Sequence, residues 1–187
     1  MKKSSIIIIC IVAILAILIL GGVSKYNSLV DSKENVEGKF ADISVQLERR
    51  ADLIPNLVNT VKGYMKHEEG IINDITEART SLLNASSVSE KSKANDELTK
   101  AIDALMVVVE NYPDLKASQN FVSLQDELAG TENRISTSRR DYNDAVKKYN
   151  SSIKKFPGNI IASMFNFDEE DYFEVTEGKQ EVPNVEF

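Results

Sequence analysis

Val45-Gln46-Leu47-Glu48-Arg49-Arg50-Ala51-Asp52-Leu53-Ile54-Pro55-Asn56-Leu57-Val58 joins an amphipathic helical pattern to a proline. Upstream, Tyr26, Leu29, Val36, Phe40, Ile43 and Leu47 recur at three- and four-residue steps, one apolar stripe of a helix from about Ser24 to Ala51. Pro55 has no N–H to donate and disfavours helical geometry at Ile54. Both penalties fall away if the first helix stops near Asp52, Asp52 caps a second one, and Pro55 sits in its first turn. This predicts two antiparallel helices meeting at a tight turn. The apolar register nevertheless continues through Leu47, Ile54 and Val61, so one kinked helix fits the same residues.

Working outward, a second helix is predicted over about Leu53–Asn84, with Leu57, Val61, Tyr64, Ile71, Ile75, Ala78 and Leu82 inward. Ser87 followed by Glu90 has the spacing of a capping box. It opens a third helix carrying Ala94, Leu98, Ile102, Leu105, Val109 and Tyr112, which ends at Asn111-Tyr112-Pro113-Asp114. A fourth is predicted over about Asp114–Lys155. Phe121, Leu124, Leu128, Thr131, Ile135, Ser138, Tyr142, Ala145, Tyr149, Ser152 and Phe156 form its seam, in the alternation of a left-handed bundle. Pro157-Gly158-Asn159 breaks that helix, a short apolar segment follows over residues 160–167, and the acidic tail from Asp168 is expected to be flexible.

Towards the N-terminus, Ile6 through Val23 carry no charge. As a helix they span roughly 27 Å, enough for the hydrocarbon layer. A retained anchor is the expectation; Gly22-Val23-Ser24 keeps a cleaved signal peptide open. Lys2 and Lys3 before the span nearly balance Lys25 and Lys33 after it. The short basic N-terminus favours a signal anchor that leaves the body of the protein outside the cytoplasm. The fold class expected is therefore all-α. It comprises a transmembrane helix (residues 1–23), an antiparallel up-down four-helix bundle (24–156) and an irregular C-terminal part (157–187).

A net charge of −7 argues against nucleic acid as a partner. The lone cysteine, Cys10, lies in the apolar run and has no intramolecular mate. His67-Glu68-Glu69 has half of a helical zinc-protease motif, but the position of the second histidine is Ile71, and His67 is the only histidine. No catalytic residue, metal or cofactor is expected.

The run Leu47–Val58, followed by Val61-Lys62-Gly63-Tyr64 and His67-Glu68, resembles the LemA family. So do Asn111-Tyr112-Pro113-Asp114-Leu115-Lys116, Thr131-Glu132-Asn133-Arg134-Ile135, the Tyr-Asn pairs at 26–27, 142–143 and 149–150, and Phe156-Pro157-Gly158-Asn159. The resemblance covers nearly everything after Ser24. It implies a single-pass bacterial membrane protein with a helical bundle and no agreed biochemical activity.

Two candidate surfaces follow. Arg49 and Arg50 fall at the predicted distal turn, with Asp52 and Asp114 as partners, either capping helix ends or presenting a partner-binding patch. Glu68 is placed near Lys33 and Lys39 as a register-setting ion pair. At the opposite end, Lys147, Lys148, Lys154 and Lys155 approach the lipid headgroups. Phe156, Ile160, Ile161, Met164, Phe165 and Phe167 reach the bilayer interface, unless this segment folds back on the bundle. Val185-Glu186-Phe187 has the form of a strand-adding tail or of a plain disordered one. The expected role is a scaffold or adaptor binding other envelope membrane proteins, with residues 6–23 in the bilayer. The alternative is a lipid-contacting, membrane-organising protein. Sequence leaves the oligomeric state open.

Overall fold

The computed structural model describes residues 3–65 and 67–174. Helix is the only regular structure among them: α1 (Lys3–Lys62), α2 (Glu69–Asn84), α3 (Val88–Val109), α4 (Pro113–Lys116), α5 (Gln119–Lys154) and α6 (Gly158–Phe165). The chain forms two compact units, one of Met1–Gly38 with Asp144–Glu170, the other of Lys39–Asn143 with Asp171–Phe187.

The predicted turn at Asp52 is corrected. The helix continues through Pro55 to Lys62, the single-helix alternative. Proline in a helix interior strips the carbonyl four residues earlier of its donor, here Ala51, which is fully buried. Arg79 on α2 replaces the missing donor: its Nε–H donates to the Ala51 carbonyl at 2.8 Å. A side chain from another helix thus relieves one of the two penalties that a turn would have relieved.

The break comes instead after Lys62. There the N–H groups of Tyr64 and Met65 both donate to the Val61 carbonyl at 2.9 Å, and Gly63 lowers the propensity to continue. The break resets the helical phase. Ile72 faces inward in place of Ile71, Tyr64 is exposed, and Ile75, Ala78 and Leu82 keep their expected burial.

At the start of α3 the capping box forms. Ser87 Oγ accepts from the Glu90 N–H at 3.2 Å, and the Glu90 carboxylate accepts from the N–H groups of Ser86 and Ser87 at 2.9 and 3.0 Å. Ala94, Leu98, Ile102, Leu105 and Val109 are all buried. The single fourth helix expected from Asp114 is divided: α4 is one turn with Pro113 at its start, and α5 begins at Gln119. Along α5 the predicted seam residues Phe121, Leu128, Thr131, Ile135, Tyr142, Ala145 and Tyr149 are buried, whereas Phe156, beyond the helix end, is exposed.

α6 follows a cis Phe156–Pro157 bond and ends on Asn166 at φ 55°, a left-handed conformation that asparagine tolerates. Asp168–Glu174, expected to begin a flexible tail, are held by hydrogen bonds from α5 and α3 side chains. The remainder of the tail, with Val185-Glu186-Phe187, lies outside the described residues.

Candidate functional site

In the first unit, the described apolar residues of α1 up to Val23 find no protein core, whereas Leu29 and Val36 further along are buried. Ile11, Ile14, Leu15, Leu18, Leu20 and Val23 are all more than half exposed. α1 is a helix long and apolar enough to cross a membrane. Packing begins at Gly22 and Tyr26. Tyr26 meets the rings of Phe165 and Phe167 at centroid distances of 4.8 and 5.7 Å. A Cβ on Gly22 would sit 3.9 Å from Ile161 Cδ1.

Gly158 sets how closely α6 approaches. A Cβ there would lie 2.1 Å from the Ser152 carbonyl oxygen and 2.9 Å from Lys25 Cε, so no side chain fits. With Gly158 and Ala162 buried and Ile161 half-buried, α6 turns its other face outward: Ile160 is 50% exposed, Met164 68% and Phe165 53%, beside Phe156 at 81%. Segment 156–167 thus folds against α1 and still presents an apolar surface. The two expectations for it are not exclusive.

A polar clamp follows α6. Tyr149 Oη donates to the Asp168 carbonyl at 2.9 Å. The Asn150 amide both donates to the Glu170 carbonyl at 2.9 Å and accepts from the Glu170 N–H at 3.0 Å. Burial, then the carboxylates of Glu170 and Asp168, push the Tyr149 phenol above its ordinary pKa, which keeps it a donor. Lys33 pairs with Glu170 at 3.5 Å and Lys154 with Glu169 at 2.6 Å.

Lys154 thereby leaves the predicted lysine group. Lys147, Lys148 and Lys155 instead share an open groove of about 660 Å³ with Lys25, Asp144, Ser151, Ser152 and Phe156. The α5 members recur at three- and four-residue steps and form a single stripe.

The second unit holds the arginine pair. Arg50 is 4% exposed, and its Nη1 donates to Asn95 Oδ1 at 2.7 Å and to Glu132 Oε2 at 2.6 Å. Burial lowers its pKa, against the opposing pull of Glu132, Asp103 and Asp96. Arg49, Asp52 and Asp114 are exposed. The predicted cluster of Arg49, Arg50, Asp52 and Asp114 is therefore not assembled around Arg50, because the turn that would have gathered it does not exist. Glu68 accepts from Tyr112 Oη at 3.3 Å, and Lys39 pairs with Asp42. The clamp recurs in this unit. Tyr142 Oη donates to the Asp171 carbonyl at 2.7 Å, and Asn143 donates to the Phe173 carbonyl and accepts from its N–H. Phe173 is buried, and Ser92 on α3 donates to the Glu174 carbonyl.

Residues 39–187 match the LemA family. The chain belongs to the LemA family. It is 27% identical to magnetosome protein MamQ 1 of Paramagnetospirillum magneticum over 89% of its own length and 70% of the relative's. It is 25% identical to Protein LemA of Metamycoplasma hominis over 83% of its length and 71% of that protein's.

In this LemA-family chain, sequence reasoning missed Arg79, Asn95 and Glu132 as partners and Lys25 as a groove residue. The position of Ala51, one helical turn before Pro55, was a usable signal for an added donor. The seven-residue recurrence of Tyr-Asn was visible, but its target, the segment after Phe167, was not.

Proposed function

We propose that this protein is a non-catalytic, membrane-anchored helical scaffold of the cell envelope. Residues 6–23 span the bilayer, α6 seats the base of the protein in the interface, and exposed helix faces bind other envelope membrane proteins. The apolar face of α6 carries the reading: it lies beside Gly22–Tyr26, where the apolar run of α1 gives way to polar residues. Apolar surface at that level is stabilised by partition into the headgroup–acyl boundary. The body is read as an antiparallel four-helix bundle over residues 24–156; what supports this is helix-to-helix bonding within the second unit, where Arg50 of α1 reaches Asn95 of α3 and Glu132 of α5, and Arg79 of α2 reaches Ala51. The short basic N-terminus supports an extracytoplasmic body.

The protein has no tryptophan, so Met164→Trp gives a single reporter. In vesicles of the full chain, lipids brominated high on the acyl chain are expected to quench it. Water-like, unquenched emission would overturn the interfacial seat. Photo-crosslinkers at the exposed Val45 and Val107 test the scaffold reading. One dominant envelope partner supports it, and no adduct from intact membranes counts against it.

A further inference from the structure

The groove beside Phe156 has a charge pattern unlike the rest of the chain. The protein carries a net charge of −7, yet four lysines line this groove against one carboxylate. Among the described residues, none of Lys25, Lys147, Lys148 and Lys155 forms an ion pair, whereas their neighbour Lys154 does. Lysines stabilise the C-terminal end of a helix through its dipole, which accounts for a cation in the last turn of α5. It does not account for Lys25 on α1, nor for Lys147 and Lys148 earlier in α5. Asp144 lies at one end of the stripe, with Lys155 and Phe156 at the other. The hydroxyl of Ser152 is committed to the Tyr149 carbonyl at 2.8 Å, which leaves Ser151 as the hydroxyl donor in the groove.

We propose that this groove binds the headgroup phosphate of an anionic phospholipid. Lys25, Lys147, Lys148 and Lys155 supply the charge, Ser151 donates a hydrogen bond, and the acyl chains pass Phe156 and the exposed face of α6. Lysine is a compact point charge suited to phosphate, and its alkyl stem lies along apolar surface while the ammonium stays at headgroup level. The stem of Lys25 already lies against α6, with Cε next to Gly158. The adjoining Phe156, Ile160 and Met164 are exposed and apolar. An amphiphile matches both halves of the surface; a soluble anion matches only the first. The inference rests on the interfacial seat of α6 and adds headgroup selectivity to it.

The test uses the full chain in a mild detergent. Phosphatidylglycerol and phosphatidylcholine with identical acyl chains are titrated separately and counted by native mass spectrometry. Tighter binding of phosphatidylglycerol is expected. Its preference should fall about fivefold for each of Lys25→Gln, Lys147→Gln, Lys148→Gln and Lys155→Gln. Lys154→Gln should leave it unchanged. Equal binding of the two lipids, or a loss with Lys154→Gln as large as with Lys148→Gln, would overturn the groove. So would displacement of the lipid by inorganic phosphate at equal concentration, which would mark a soluble-anion site. The two readings fail separately. Quenching at Met164→Trp without headgroup preference removes the groove alone, and absent quenching removes the seat.

Discussion

Arg49 and Arg50 are neighbours of identical chemistry with different surroundings. On a helix they point about 100° apart, so one faces water and the other enters the core between Asn95 and Glu132. Arg50→Ala leaves Asn95 and a partly exposed Glu132 without their cation. The expected cost is about 2 kcal/mol, below the range for a fully buried pair because Glu132 retains water. Arg49→Ala is expected to change stability by less than about 0.5 kcal/mol. Urea unfolding of the full chain in detergent, followed by circular dichroism, compares the two. Equal losses would contradict the assignment of Arg50 as the buried partner.

Pro55 and Arg79 belong to the scale of elements, since each makes sense only through the other. Removing Arg79 strands a buried carbonyl, which costs about 1–3 kcal/mol. Pro55→Ala restores the N–H that this carbonyl lacks. Arg79→Met is therefore expected to destabilise the native chain clearly and the Pro55→Ala chain less. Additive losses in a double-mutant cycle would mean that the two do not share the Ala51 carbonyl.

The start of α3 has its own pH dependence. Hydrogen bonds from the backbone of Ser86 and Ser87, with the Ser86 hydroxyl, hold the Glu90 carboxyl down at about 2. A carboxyl lowered by folding stabilises the helix above its unfolded pKa, and that contribution is lost as the pH falls through the folded value. Acid should therefore loosen the N-terminus of α3 in the native chain. Glu90→Gln should lack this pH-dependent component; hydrogen exchange of the first turn across the acid range reads the difference. Ser87→Ala, which removes the other half of the box, is expected to cost about 1 kcal/mol at neutral pH.

Across the whole molecule, one device binds Asp168–Glu174 to α5 twice. In the second unit Tyr142-Asn143 holds the carbonyls of Asp171 and Phe173, and in the first unit Tyr149-Asn150 holds those of Asp168 and Glu170. A chain ending at Phe167 loses both clamps and the buried Phe173. The expected destabilisation is about 3 kcal/mol or more, measured by thermal unfolding in detergent. An unchanged midpoint would show that the segment contributes no stability.

The sequence by itself determined the all-helical class, the N-terminal apolar run, the box at Ser87 and most inward positions of α3 and α5. These depend on local periodicity and on residues a turn apart, which a linear reading samples directly. It also carried the lysine stripe of α5. Only the tertiary structure decided that Pro55 lies inside a helix, that Arg50 answers to Glu132, and that Lys25 replaces Lys154 in the groove. It alone decided that the Tyr-Asn repeat holds the chain after α6. Each of those outcomes turns on which distant backbone or side-chain group reaches a given atom. The same local pattern is compatible with several partners until the chain is folded and burial makes an unpaired group too costly to leave.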